Sequence, residues 1–202
     1  MSVEPEASGP TWPVPPKGGW TADDLDRLPN LPPHTELIDG SLVFVSPQTI
    51  FHSRAVSFLE RRLEDAASAG LEVLREFTID IDTQNRPEPD VIVVPAEEIL
   101  DPGQTRVPAE TVVLAVEVVS PDSEARDREA KPLKYAKAGI RHYWRVENDK
   151  GRPVVYVFEL EPATRTYAPT GIFHDALKVS VPFTIELDLT AITARRSAPE
   201  PP

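Results

Sequence analysis

Glu117 is the one charged side chain in the run Val112-Val113-Leu114-Ala115-Val116-Glu117-Val118-Val119. An ionised carboxylate is costly to bury unless a cation or several donors compensate, so a residue in such a run is paired, hydrogen-bonded or metal-bound. An outward-facing strand end or a salt bridge to an arginine answers the same requirement. A second acid occupies a similar place: Asp90 opens Asp90-Val91-Ile92-Val93-Val94 directly after Pro87-Glu88-Pro89, and the prolines fix the entry into that strand. A turn or cap aspartate has the same sequence signature. As a pair, two acids brought to a common edge by neighbouring strands make a hard oxygen set suited to Mg2+ or Mn2+. The chemistry implied is phosphoryl transfer, in which the cation orients water, lowers its pKa and absorbs charge on phosphorus, while a nearby ammonium neutralises the remainder. Lys131 or Lys134, on the helix that follows, supplies the ammonium. With no protein cation between the two acids, they repel, and the apo site is expected to be strained.

The elements that must position these residues follow from periodicity. Thr21 before Asp23 and Asp24 marks the start of a short helix that ends at Pro29. Residues 35–38 and 41–45 flank Asp39-Gly40, a dipeptide suited to the positive φ angles of a tight hairpin. Residues 50–69 place Phe51, Ala55, Phe58, Leu59 and Leu63 at helical spacing, and Gly70 stops them. Residues 71–81, 90–94 and 111–119 read as three strands, the last two so continuously apolar that they belong in the centre of a sheet. A second helix spans about 127–138 and is stopped by Gly139. Strand-like segments at 140–146, 154–160, 165–168 and 176–181 follow. The fold class is α/β, a mixed central sheet flanked by helices with extra C-terminal strands. The proline-rich lead, 1–19, and the tail, 193–202, are expected to be disordered, leaving one domain over 20–192.

Composition narrows the function. The chain has 202 residues and no cysteine, which excludes a disulfide framework, a thiolate zinc site and a cysteine nucleophile. The acidic, proline-rich start lacks the features of a signal peptide, and no apolar run approaches the roughly 18 residues of a membrane span, so a cytoplasmic protein with no membrane association is expected. The net charge of −12 argues against a broad electrostatic grip on nucleic acid. Inside this acidic chain lies a basic strip, Arg126, Arg128, Lys131, Lys134, Lys137, Arg141 and Arg145, which is either a solvated helix face or a local contact surface. His52, His142 and His174 have no zinc spacing; His52, after a proline-containing loop, either faces the site or, the commoner case, lies on the surface at a helix start. Tyr143 and Trp144 read as core. No glycine-rich phosphate loop or nucleophile elbow occurs.

Taken together, Pro89-Asp90, Glu117-Val118-Val119-Ser120-Pro121, then Asp127, Lys131, Tyr135, Gly139 and Tyr143-Trp144 resemble the Uma-two family of bacterial restriction endonucleases, in the PD-(D/E)XK nuclease superfamily. The opening, Thr21 to Leu28 and Glu36-Leu37-Ile38-Asp39-Gly40, resembles the family as well, so the likeness runs from about Trp20 to Leu189. It implies a restriction-endonuclease-like core and a Mg2+-dependent (or Mn2+-dependent) endonuclease acting on DNA; a homodimer is a further expectation. By the resemblance Asp90 and Glu117 are metal ligands, with the Val118 carbonyl a further candidate. The superfamily's lysine two positions after the Glu is replaced here by Val119, and Lys131 on the helix matches its migrated counterpart. Glu36 matches a recurrent acid that joins the metal site; a hairpin salt bridge is the alternative. Pro132 directly after Lys131 implies a helix starting at Asp127 or later, or a kink, and leaves Lys134 as the substitute. Two other functions fit the residues: a non-catalytic binding or assembly module on the same fold, and a hydrolase of smaller phosphate esters.

Overall fold

The two most apolar runs pair with each other at the centre of the computed structural model, which describes residues 14–194. Along the chain the elements are α1 (Ala22–Leu25), β1 (Glu36–Ile38), β2 (Ser41–Val43), α2 (Ile50–Ala66), β3 (Leu71–Arg75), β4 (Thr78–Asp80), β5 (Val91–Pro95), β6 (Arg106–Pro108), β7 (Leu114–Val118), α3 (Lys131–Ala138), β8 (His142–Asp149), β9 (Arg152–Glu161), β10 (Thr166–Phe173), β11 (Ala176–Val179) and β12 (Ile185–Asp188). The main sheet has the order β10-β9-β8-β7-β5-β3. It is mixed: β7 and β8 run parallel and every other neighbouring pair is antiparallel.

Both faces of this sheet are covered, which is why β5 and β7 carry no alternation of polar and apolar residues. Val91, Val93, Leu114, Val116, Val118, Trp144 and Val146 face α2, where Ala55, Phe58, Leu59 and Leu63 meet them. Ile92, Val94, Ala115 and Tyr143 face the other way, towards Tyr135 of α3. Tyr143 and Trp144 are fully buried core residues. Burial of Leu59 and Leu63, both at zero exposure, contributes about 1.5–3 kcal/mol each and fixes α2 against the sheet.

Local signals match their elements. Thr21 and Asp24 form a reciprocal capping box on α1. Asp39 (φ 48°) and Gly40 (φ 70°) take the left-handed angles of the β1–β2 turn. Gly139 closes α3 at φ 94°, a conformation strained for any residue with a Cβ. The helix α2 ends at Ala66, before Gly70, because Ala67 already turns to an extended conformation.

One expectation is corrected, and two strands were not anticipated. The strand read at residues 71–81 is two strands: Glu76 takes φ 49°, β3 stays with β5, and β4 leaves to pair in parallel with β6. Continuing the β3–β5 ladder past Arg75 and Val91 would set Phe77 against Pro89, which has no amide to donate. The pairing of β11 with β12 was not anticipated, nor was β6. The expected disordered segments lie largely outside the described residues. Within them, Trp20 N donates to Gly40 O at 2.7 Å and Gln84 Nε2 to Gly18 O at 2.6 Å, so residues 18–20 are held against the hairpin.

Candidate active site

Antiparallel register sets Val91 opposite Val116, so Asp90, one residue earlier, and Glu117, one residue later, meet at the end of the central pair of strands. Glu117 shares the sheet face of Ala115 by the period of two and points at α3. Asp90 is tied at the strand end: its Oδ2 accepts from Val118 N at 2.6 Å, and its Oδ1 lies 2.9 Å from His52 Nε2. His52 is therefore no surface histidine; it is 4 % exposed, reaching Asp90 from the first turn of α2. Thr49 caps that turn through the His52 amide, which sets where the imidazole emerges.

The third element is the chain entering α3. Residues Arg126–Ala130 form a π-helical turn in which Lys131 N donates to Arg126 O, five residues back, and α3 follows without a break. Pro132 explains the turn. Its ring would collide with the carbonyl of Arg128 in a regular helix, and the wider π turn relieves that clash. Asp127, Lys131 and Tyr135 consequently face the sheet together, and Tyr143 Oη pins the turn by donating to Asp127 O at 2.7 Å.

Lys131 Nζ lies 2.9 Å from Glu36 Oε1, 3.0 Å from Glu117 Oε2 and 3.6 Å from Asp127 Oδ1, and it is 4 % exposed. Tyr135 Oη donates to the other oxygen of Glu117 at 2.5 Å. Glu36 accepts from Glu88 N at 2.7 Å, and Ser123 donates to Asp127. The strain expected of two acids with no protein cation between them presupposes unpaired carboxylates, and here each has its own partner, Lys131 for Glu117 and His52 for Asp90. Lys134 is directed elsewhere, to Asp39 at 2.5 Å.

Burial and charge pull these groups in defined directions. Burial pushes the Glu117 carboxyl well above the usual carboxylate range; Lys131 opposes this, while Asp127, Asp90 and Glu36 add to it. Asp127 is raised for the same reasons, with Lys131 and Ser123 opposing. Burial alone would favour neutral Lys131, but Glu117, Glu36, Asp127 and Asp90 outweigh it and hold the ammonium above the ordinary lysine range. His52 is likewise raised against its own burial by the hydrogen bond to Asp90.

These groups line a notch of about 50 Å3 together with Val118, Ser120 and Arg126. A hard divalent cation suits this donor set, which consists of carboxylate oxygens, and Asp127 Oδ1 is buried without a hydrogen-bond donor. Each ionised carboxylate has about four lone-pair sites, so Asp90 and Glu117 retain acceptor capacity beyond their present partners. Among the described residues, no group of three or more His, Asp or Glu forms a ready metal shell. Such an arrangement is compatible with Mg2+, which is commonly held by one or two carboxylates and several waters.

The basic strip does not form a continuous face. Arg128 pairs with Glu124 and Glu147, Arg145 pairs with Glu147 and stacks on Tyr156, and Lys131 is internal. Of the residues singled out in the sequence, Asp90, Glu117, Val118, Glu36 and Lys131 all line one notch. Sequence reasoning preferred a surface position for His52 over one facing the site, because its burial depends on how α2 docks. Asp127 was not singled out as a site residue, though a signal was present: Asp127, Lys131 and Tyr135 stand at i, i+4 and i+8, one face of a helix.

No curated protein matches the chain in sequence. A crystal structure described as a putative nuclease belonging to DUF820, from Anabaena variabilis ATCC 29413, aligns with a TM-score of 0.61 at 20% identity, covering 86% of this chain and 97% of that one. At that identity the likeness concerns the fold alone. The model of the Uma2 family, described as "Putative restriction endonuclease", matches residues 22–193, and the chain belongs to that family.

Proposed function

We propose that the protein is a metal-dependent endonuclease that hydrolyses DNA phosphodiester bonds, with Mg2+ or Mn2+ held by Asp90, Glu117 and the Val118 carbonyl. The observation that carries the reading is the meeting of Asp90 and Glu117 at the end of adjacent strands with the Lys131 ammonium 3.0 Å from Glu117. A bound cation would supply Lewis-acid polarisation of the phosphate and a more acidic water. Lys131, kept charged by its carboxylate neighbours, offsets the negative charge that grows on phosphoryl oxygens as water attacks phosphorus and the sugar oxygen leaves. Glu36 and Tyr135 position this pair, one holding Lys131 and the other Glu117. Asp90 is oriented by His52 and the Val118 amide, so it needs little reorganisation to act as a ligand.

A non-catalytic binding or assembly module with a partner other than duplex DNA is favoured by one observation: Arg128 and Lys134 are neutralised by intramolecular partners, which weakens any grip on duplex DNA. Purified protein should be offered supercoiled plasmid, single-stranded DNA and a small phosphodiester, each with Mg2+, Mn2+ or EDTA. Metal-dependent cleavage of DNA but not of the small ester is expected. Turnover of the small ester alone would favour the phosphate-ester hydrolase, and no cleavage of any of these substrates the non-catalytic binding or assembly module.

A further inference from the structure

We propose that Arg126 is the phosphate-binding residue of this notch, holding non-bridging oxygens of the bound nucleic-acid strand; this rests on the nuclease reading. Arg126 lines the notch with Asp90, Glu117, Asp122, Asp127 and Lys131, yet among the described residues its side chain has no hydrogen bond or ion pair. Its Nε is buried and unsatisfied. The neighbouring cations behave otherwise: Arg128, Lys131 and Lys134 each close on carboxylates of this chain. A guanidinium that ignores the acids around it, with one donor shut away from solvent, is set up for an acceptor that arrives from outside.

Position and chemistry identify that acceptor. The carbonyl of Arg126 accepts from Lys131 N across the π turn, so the residue is fixed to the same turn that brings Asp127 and Lys131 to the notch. Lys131 is committed to Glu36, Glu117 and Asp127, and cannot also be the contact that draws a phosphate in. The acids at the notch repel a phosphodiester, and a planar guanidinium with parallel N–H donors is the side chain matched to two phosphate oxygens. Arg126 therefore recognises substrate, while Lys131 acts on charge that develops during the reaction.

Binding of a short fluorescein-labelled single strand, measured by anisotropy in Ca2+, tests this without requiring turnover. Arg126→Ala and Arg126→Gln should weaken binding about ten- to a hundredfold with unchanged melting temperature, Arg126→Lys should restore part of it, and Lys137→Ala on the exposed side of α3 should have no effect. Cleavage by the Arg126 variants should show a raised KM with kcat nearly kept. Equal binding by wild type and Arg126→Ala, an equal loss in Lys137→Ala, or no binding by the wild type would each overturn the assignment. Metal-dependent nicking by the wild type reads the nuclease proposal separately: nicking with binding insensitive to Arg126 removes only this residue's role.

Discussion

Lys131→Met is expected to destabilise the protein by about 3–5 kcal/mol, the usual cost of removing one partner from a buried ion pair. The ammonium is 4 % exposed and sits against Glu36, Glu117 and Asp127, so methionine of similar length would leave those acids packed together without a cation. They would have to take up protons or admit water, and both are unfavourable near neutral pH. For a domain of this size the loss corresponds to a fall in melting temperature of roughly 6–20 °C. Glu117→Gln should cost much less, because Lys131 keeps Glu36 and Asp127 as partners. Thermal and urea unfolding of the two variants, metal-free, give the comparison. A Lys131→Met protein as stable as the wild type would mean that the acids are not ionised neighbours in the native state.

Asp90→Ala and Glu117→Ala should each reduce metal-dependent plasmid nicking by more than about a hundredfold, since each removes a ligand from a site that needs both charges. The two variants will differ in stability in an informative way. Asp90→Ala leaves His52 buried and the Val118 amide without its acceptor, whereas Glu117→Ala frees Lys131 to its other carboxylates. Equal loss of activity with unequal stability would separate catalysis from folding. Equal nicking by wild type and both variants would point to a contaminant or to a site elsewhere on the molecule.

Much of this site can be read from the chain because its parts are local. Asp39-Gly40 dictates a turn by backbone angles alone, Gly139 stops α3 for the same reason, and the apolar runs around Asp90 and Glu117 must be central strands. Pairings between distant segments are not written locally, which is why β4–β6 escaped, whereas β12 follows β11 after the short connection 180–184 and was missed as a strand. The same limit explains His52: its sequence neighbourhood is a polar helix start, and only the docking of α2 on the sheet buries it beside Asp90. Lys131 is the instructive case. Pro132 put its reach in doubt and left Lys134 as the substitute, yet the π turn takes up the proline with Lys131 still on the inward face, where its ammonium offsets part of the repulsion among Glu36, Glu117 and Asp127.

A crystal soaked in Mn2+ and measured near the manganese edge tests the metal site most directly. The account predicts one anomalous peak in the notch, roughly 2.0–2.3 Å from oxygens of both Asp90 and Glu117, with Lys131 still beside Glu117. No peak there at a saturating concentration, or a peak elsewhere with Asp90 and Glu117 unmoved from His52 and Lys131, would contradict it.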